Sequence, residues 1–273
     1  MSESSKRPAI QSQQSYAAVF NDPDLAPARR VDEIVLRNIR RVNLTMGICA
    51  GALHTSLDLW CVNLDVDADA LKCFRRWLSN DELARSSRFH SDLHRARYIV
   101  GRATLRRVLA DRLCCSSSSV RFSYGTNGKP MLEASRKHLE FNVAHSGADA
   151  VIALADGAAV GVDIELLRPI DDFESLARLV FSDAERCELE LAPNPMLAFL
   201  NGWTRKEAYV KALGLGLSAP LTEITVSLSQ RAALISTGLR DQSVSNWRLL
   251  NVPHPRGIVA LALGPRPDGA TTT

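Results

Sequence analysis

Hydrophobic and polar positions change rhythm several times along the chain, and each change marks the edge of an element. From Met1 to about Arg41 the residues are polar and mixed in charge with no sustained period, so residues 1–55 are predicted to be a flexible extension. Within it Val31, Ile34, Val35 and Ile39 fall near one face of a short helix over Val31–Arg41. From Ser56 the texture changes: Leu57, Leu59 and Cys61 alternate with Asp58 and Trp60 as in a strand, and a folded domain begins. Leu105, Val108 and Leu109 then recur at helical spacing inside one extended helical region, Asp81 to about Leu113. Short β-like runs follow at Val120–Tyr124, Leu139–Ala144, Ala150–Leu154 and Ala159–Glu165, divided by Gly, Asn, Pro and Asp turn signals. The pattern turns helical again over Asp171–Leu191 and Leu197–Leu213, with Pro193-Asn194-Pro195 between them and Gly214 and Gly216 at the end. Four strand-like runs close the chain: Thr222–Leu228, Ala232–Ser236, Trp247–Asn251 and Gly257–Leu263. Strand, helix, strands and then strand, helices, strands is an α+β order stated twice. It predicts two similar α/β halves, 56–157 and 158–265, followed by a tail at 266–273.

Composition narrows the class. With 273 residues, 46% of them hydrophobic, the chain can bury one large core or two small ones. A net charge of +3 is too small for a protein that coats a polyanion. Cys49, Cys61, Cys73, Cys114, Cys115 and Cys187 include no CxxC pair, which argues against the common zinc and redox motifs and for reduced, mostly buried thiols. The first residues lack a secretory pattern and no apolar run reaches bilayer length, so a cytoplasmic protein without a membrane partner is expected.

Candidate chemistry gathers at two places. In Val160-Gly161-Val162-Asp163-Ile164-Glu165, two carboxylates two apart at the end of an apolar strand project to one side. Such a pair invites a hard divalent cation such as magnesium, whose shell substrate phosphates and waters complete. It also describes a strand end whose acids face solvent or accept hydrogen bonds from a turn. Forty residues on, Trp203, Glu207 and Lys211 lie along one helical face. Alone, this Glu and Lys describe a solvent salt bridge; beside Asp163 they add the third carboxylate and the cation that phosphoryl chemistry needs. Arg85, Arg88, Arg95, Arg97, Arg102, Arg106, Arg107 and Arg112 crowd one segment, with only Asp92 and Asp111 among them. This is a field that favours phosphates, or a solvated charged face. Only Phe89 and Tyr98 are interleaved there, too few aromatics for a nucleic-acid platform.

These residues resemble the Sfp-type 4'-phosphopantetheinyl transferases, whose signature is GxD followed some forty residues later by W/FxxKE(A/S)xxK. Gly161-Val162-Asp163 matches the first element; Trp203, Lys206, Glu207, Ala208 and Lys211 match the second. Gly101-Arg102 with Arg106, Gly128-Lys129-Pro130, Phe141-Asn142-Val143-Ala144-His145-Ser146-Gly147 and Gly214-Leu215-Gly216-Leu217 follow the family's order. The resemblance covers about Ser56 to Leu263. One departure is Ala144, where many members have Ser, which leaves only backbone contacts to coenzyme A at that position.

The resemblance implies a pseudo-dimer of two α/β halves with the cofactor in the cleft between them, acting as a monomer. The implied activity transfers the phosphopantetheine arm of coenzyme A to a serine of an apo acyl or peptidyl carrier protein, releasing adenosine 3',5'-bisphosphate. Magnesium would be held by Asp163, Glu165 and Glu207. The catalytic set would be Glu207, which takes the serine proton, with Lys211 and Asp163. Coenzyme A would be bound by Arg85, Gly128, Lys129, Asn142, Ala144, His145, Asp163 and Lys211, Arg85 matching a phosphate-contacting cation. A rival reading, a coenzyme A binder without turnover, would not need the complete set of Asp163, Glu165, Glu207 and Lys211.

Overall fold

The computed structural model describes residues 39–43, 56–125, 127–133 and 139–266, which fold as a mixed α+β protein. One antiparallel sheet contains β1 (Ile39–Asn43), β2 (Leu57–Asn63), β6 (Asp149–Asp156) and β5 (Leu139–Ser146), in that spatial order. A second contains β10 (Arg248–Val252), β11 (Gly257–Gly264) and β7 (Ala159–Leu166). Two small hairpins, β3 (Phe122–Tyr124) with β4 (Pro130–Leu132) and β8 (Ile224–Val226) with β9 (Leu234–Thr237), lie outside them.

The two-residue period of each strand decides how the sheets stack. Leu57, Leu59, Val151, Ala153 and Ala155 on one face of the first sheet meet Val160, Val162, Ile164, Val259, Leu261 and Leu263 of the second in a shared core. The outer face of the first sheet packs Val62, Phe141, Ile152 and Leu154 against Ile99, Ala103 and Leu109 of α3 (Asp92–Leu113). The outer face of the second packs Ala159, Ala260 and Ala262 against Ala208, Tyr209 and Ala212 of α6 (Pro195–Leu213). The order helix, sheet, sheet, helix buries both faces of both sheets, and this is why β6 and β7 read as apolar runs.

Caps account for the interruptions that apolar periodicity missed. The expected Asp81–Leu113 helix is α2 (Asn80–Ser86) and α3, because Ser79 with Glu82 forms a capping box and Ser91 caps α3. The expected Asp171–Leu191 helix is likewise α4 (Phe173–Val180) and α5 (Asp183–Glu190), separated where Ser182 and Glu185 cap α5. Preceding them, α1 (Ala68–Arg75) is capped by Asp67 and buries only Ala70 and Phe74, too narrow a stripe to announce itself. For α6 the expected signals operate: the Asn194 side chain accepts from the Leu197 N–H, Pro195 opens the helix, and Gly214 ends it with φ +73°.

Two expectations need correction. Ile39–Asn43, assigned to a flexible extension and in part to a helix, is instead an antiparallel edge strand on β2, with Ile39 and Val42 against the apolar clusters; the rest of residues 1–55 lies outside the described residues. The cysteines are not mostly buried: Cys114 and Cys187 are exposed, and Cys61, Cys73 and Cys115 are partly exposed, all as free thiols. Cys49 lies outside the described residues. No helix among the described residues is long and apolar enough to cross a membrane.

Candidate active site

Gly161 brings the two signature segments together. It faces α6, and a Cβ there would collide with the Ala208 carbonyl and the Ala212 nitrogen. Bare backbone therefore lets the helix lie directly on β7. Asp163 and Glu165 follow on the same face of the strand, beside Glu207 and Lys211 of the helix. Lys211 Nζ donates to Asp163 Oδ1 at 2.5 Å, while Asp163 Oδ2 is buried without a hydrogen-bond partner among the described residues. Ser146 donates to Glu165 Oε2 at 3.1 Å and accepts from the Leu166 N–H, so the β5–β6 turn holds that carboxylate.

Burial pushes the Asp163 carboxyl up to about 7; Lys211 opposes the shift, and the charges of Glu207 and Glu165 add to it. Glu207 is raised too, by burial first, with Lys211 opposing and Glu165 reinforcing. The three acids thus share one electrostatic environment, although they come from a strand and a helix forty residues apart. Among the described residues they do not close into a ready-made metal cage, and the Lys211 ammonium occupies one Asp163 oxygen. His145 stands close to the same groups: desolvation, then the Lys211 and Arg97 charges, hold its imidazole below its ordinary value.

The raised Asp163 pKa has a stability consequence. The folded chain keeps this proton to about pH 7, whereas the ordinary carboxyl loses it near 3.8. Between those values the folded state binds more protons, so stability falls as pH rises and then levels above 7. In EDTA, Asp163→Asn is expected to flatten that slope and to raise the melting temperature at pH 8 by about 3–6 °C. An unchanged slope in thermal melts between pH 4 and 8 would assign the effect to other groups.

Other expected site residues are placed differently. Asn142 is buried and its Oδ1 accepts from the Val162 N–H at 2.9 Å, tying β5 to β7 across the two sheets. Ala144 is buried and faces the shared core. Lys129 is turned away from solvent: its ammonium donates to the Lys211 and Ala212 carbonyls at 2.9 and 3.3 Å, capping α6. Gly128, at φ +75°, makes the turn that delivers it. Lys206, inside the second signature, is fully buried, paired with Glu185 at 2.5 Å and bonded to the Val180 and Leu221 carbonyls. It anchors α6 and does not reach the acids.

The arginine field is mostly neutralised. Arg102 and Arg106 share the buried Glu82, Arg97 is paired with Asp65, Arg95 with Asp92, Arg107 with Asp111 and Arg112 with Asp156. Arg85 and Arg88 have no carboxylate partner among the described residues. With Phe89, Tyr98, Tyr124, Asp81 and Glu82 they line an open hollow of about 560 Å³, Arg85 lying over the Tyr98 ring at 5.8 Å. Sequence reasoning missed Ser146 as the partner of Glu165, although His145-Ser146-Gly147 carried the signal.

A family model described as the 4'-phosphopantetheinyl transferase superfamily matches residues 159–262, and one described as 4'-phosphopantetheinyl transferase, N-terminal, matches residues 67–156. The chain is 36% identical over 216 residues to 4'-phosphopantetheinyl transferase HetI of Nostoc sp., covering 77% of this chain and 89% of that protein. It is 30% identical over 159 residues to 4'-phosphopantetheinyl transferase Sfp of Bacillus subtilis, covering 58% of this chain and 69% of Sfp. Two family models, over residues 67–156 and 159–262, and a relative 36% identical of which 89% is covered thus converge: the chain belongs to the 4'-phosphopantetheinyl transferase family.

Proposed function

We propose that the chain transfers the 4'-phosphopantetheine arm of coenzyme A to a serine of an apo acyl or peptidyl carrier protein in the cytoplasm, releasing adenosine 3',5'-bisphosphate. The observation that carries this reading is the meeting of Asp163 and Glu165 of β7 with Glu207 and Lys211 of α6. On it rests the further reading of two pseudo-equivalent halves, 56–157 and 158–265, acting as a monomer with coenzyme A between them.

The donor set fits magnesium. An Asp163 oxygen that is buried and without a partner among the described residues, and the Asp163 and Glu207 carboxyls both raised in pKa, describe a site short of positive charge. Magnesium is commonly held by one or two carboxylates plus substrate phosphates and waters, so no complete protein cage is needed. Asp163, Glu165 and Glu207 would hold it. When bound, the ion would neutralise charge on the pyrophosphate as its bridging bond breaks.

The chain's own groups supply the rest. Lys211 stabilises phosphoryl oxygens that gain charge. Glu207, whose raised pKa brings it nearer neutrality, accepts the proton of the carrier serine. Ser146 keeps Glu165 oriented, and His145 donates a hydrogen bond to phosphate from the end of β5. Arg85, which has no carboxylate partner among the described residues, serves a phosphate of the nucleotide end in the hollow it shares with Arg88 and Tyr98. The test is incubation with coenzyme A, magnesium and several apo carrier proteins, followed by intact mass. A gain of one phosphopantetheine on a carrier is expected; no gain on any acyl or peptidyl carrier would reject the reading.

A further inference from the structure

The turn between β3 and β4 belongs to the first half of the chain, yet it closes on the last turn of α6 in the second. Four hydrogen bonds make the junction. Lys129 Nζ donates to the carbonyls of Lys211 and Ala212, and Asn127 Nδ2 donates to those of Gly214 and Leu215 at 2.9 and 3.1 Å. These carbonyls form the C-terminal end of the helix, where intrahelical partners run out and partial negative charge collects. An ammonium and an amide placed there satisfy them.

Glycines on both sides make the approach possible. Gly128 takes φ +75°, and its N–H bonds back to the Gly125 carbonyl at 2.9 Å, closing the turn. Gly216, at φ +64°, faces Asn127; a Cβ there would lie 3.2 Å from Asn127 Cβ. Gly214 at φ +73° has the Lys129 stem as its neighbour. The Asn127-Gly128-Lys129 and Gly214-Leu215-Gly216 segments, with Asn127 and Gly214 87 residues apart in the chain, are thus two sides of one joint.

We infer that Asn127 and Lys129 are positioning residues for catalysis: they fix the end of α6 from the opposite half of the molecule and so set where Lys211 meets Asp163. The carbonyl that Lys129 grips belongs to Lys211 itself, the residue whose ammonium reaches Asp163 Oδ1. A slack joint would let the last helical turn fray, and the displacement would be felt first at that ion pair. This assigns Lys129 a different task from a phosphate contact, since two of its three N–H donors already point into the protein.

The inference rests on the transferase reading, and the test separates the two. Lys129→Met keeps the apolar stem and removes the donors; Asn127→Ala removes the other half of the joint with little effect on packing. Both are expected to lower kcat about tenfold, the worth of one charge-assisted hydrogen bond for Lys129 and of two neutral ones for Asn127, with KM for coenzyme A changed by less than about twofold. The preference for coenzyme A over 3'-dephospho-coenzyme A should stay as in the unaltered protein. Hydrogen exchange at the amides of residues 210–216 should speed up in both variants, and this readout does not depend on turnover. If the unaltered protein transfers nothing, the functional reading fails while faster exchange still supports the joint. If Lys129→Met does not fold, Asn127→Ala carries the test. Unchanged exchange, or a KM rise confined to coenzyme A and absent for the dephospho form, would overturn the inference and return Lys129 to the phosphate.

Discussion

Asp163→Asn and Glu207→Gln are each expected to lower kcat/KM for phosphopantetheine transfer by about 10³-fold or more while the protein stays folded. Each change preserves shape and removes charge from a site whose purpose is to concentrate it. Asp163 carries the buried oxygen with no partner among the described residues, and Glu207 is the raised carboxyl on the facing helix. Asp163→Asn also leaves Lys211 opposite a neutral amide, so its ammonium loses the partner that orients it. The measurement is initial rate by intact mass of the carrier, with circular dichroism as the folding control. A tenfold loss or less in both variants would mean that these acids do not carry the chemistry.

Among the described glycines, Gly161→Ala is expected to be the most damaging added methyl, costing about 3 kcal/mol or preventing folding. The added carbon would enter the space of the Ala208 carbonyl and the Ala212 nitrogen, which are backbone atoms and cannot swing aside. Either α6 lifts off β7 or the strand bends, and both movements separate Asp163 from Lys211. Urea titration measures the loss. A variant as stable as the parent would show that the helix does not rest on the strand at this point. The glycine of the GxD signature thus serves close packing, since no positive φ is recorded there.

Much of this was legible in the chain because the informative signals are local. Alternation in 57–61, the apolar run at 150–154, the Pro-Asn-Pro start of α6 and the Gly214 stop report directly on backbone geometry. The acids were legible for the same reason, with Asp163 and Glu165 fixed to one face by the strand period and Glu207 and Lys211 by the helix period. Side-chain destinations were not legible. Lys129 and Lys206 have the same chemistry as Lys211, and nothing in their immediate neighbours says that one caps a helix from afar while another is buried against Glu185. The arginines of α3 drew attention as a phosphate field because their partners Glu82, Asp65 and Asp156 lie outside the helix itself. Long-range pairing decides which charges remain free for a ligand, and it is set by the fold.

The account turns on acids from a strand and a helix serving one divalent ion that a pyrophosphate completes. Manganese can be titrated in place of magnesium, with coenzyme A present or absent, and followed by water proton relaxation. The expected result is one ion bound per chain, tightly only with coenzyme A, and lost in Asp163→Asn. Equal binding by the parent and Asp163→Asn would contradict the account, whatever the rates of transfer.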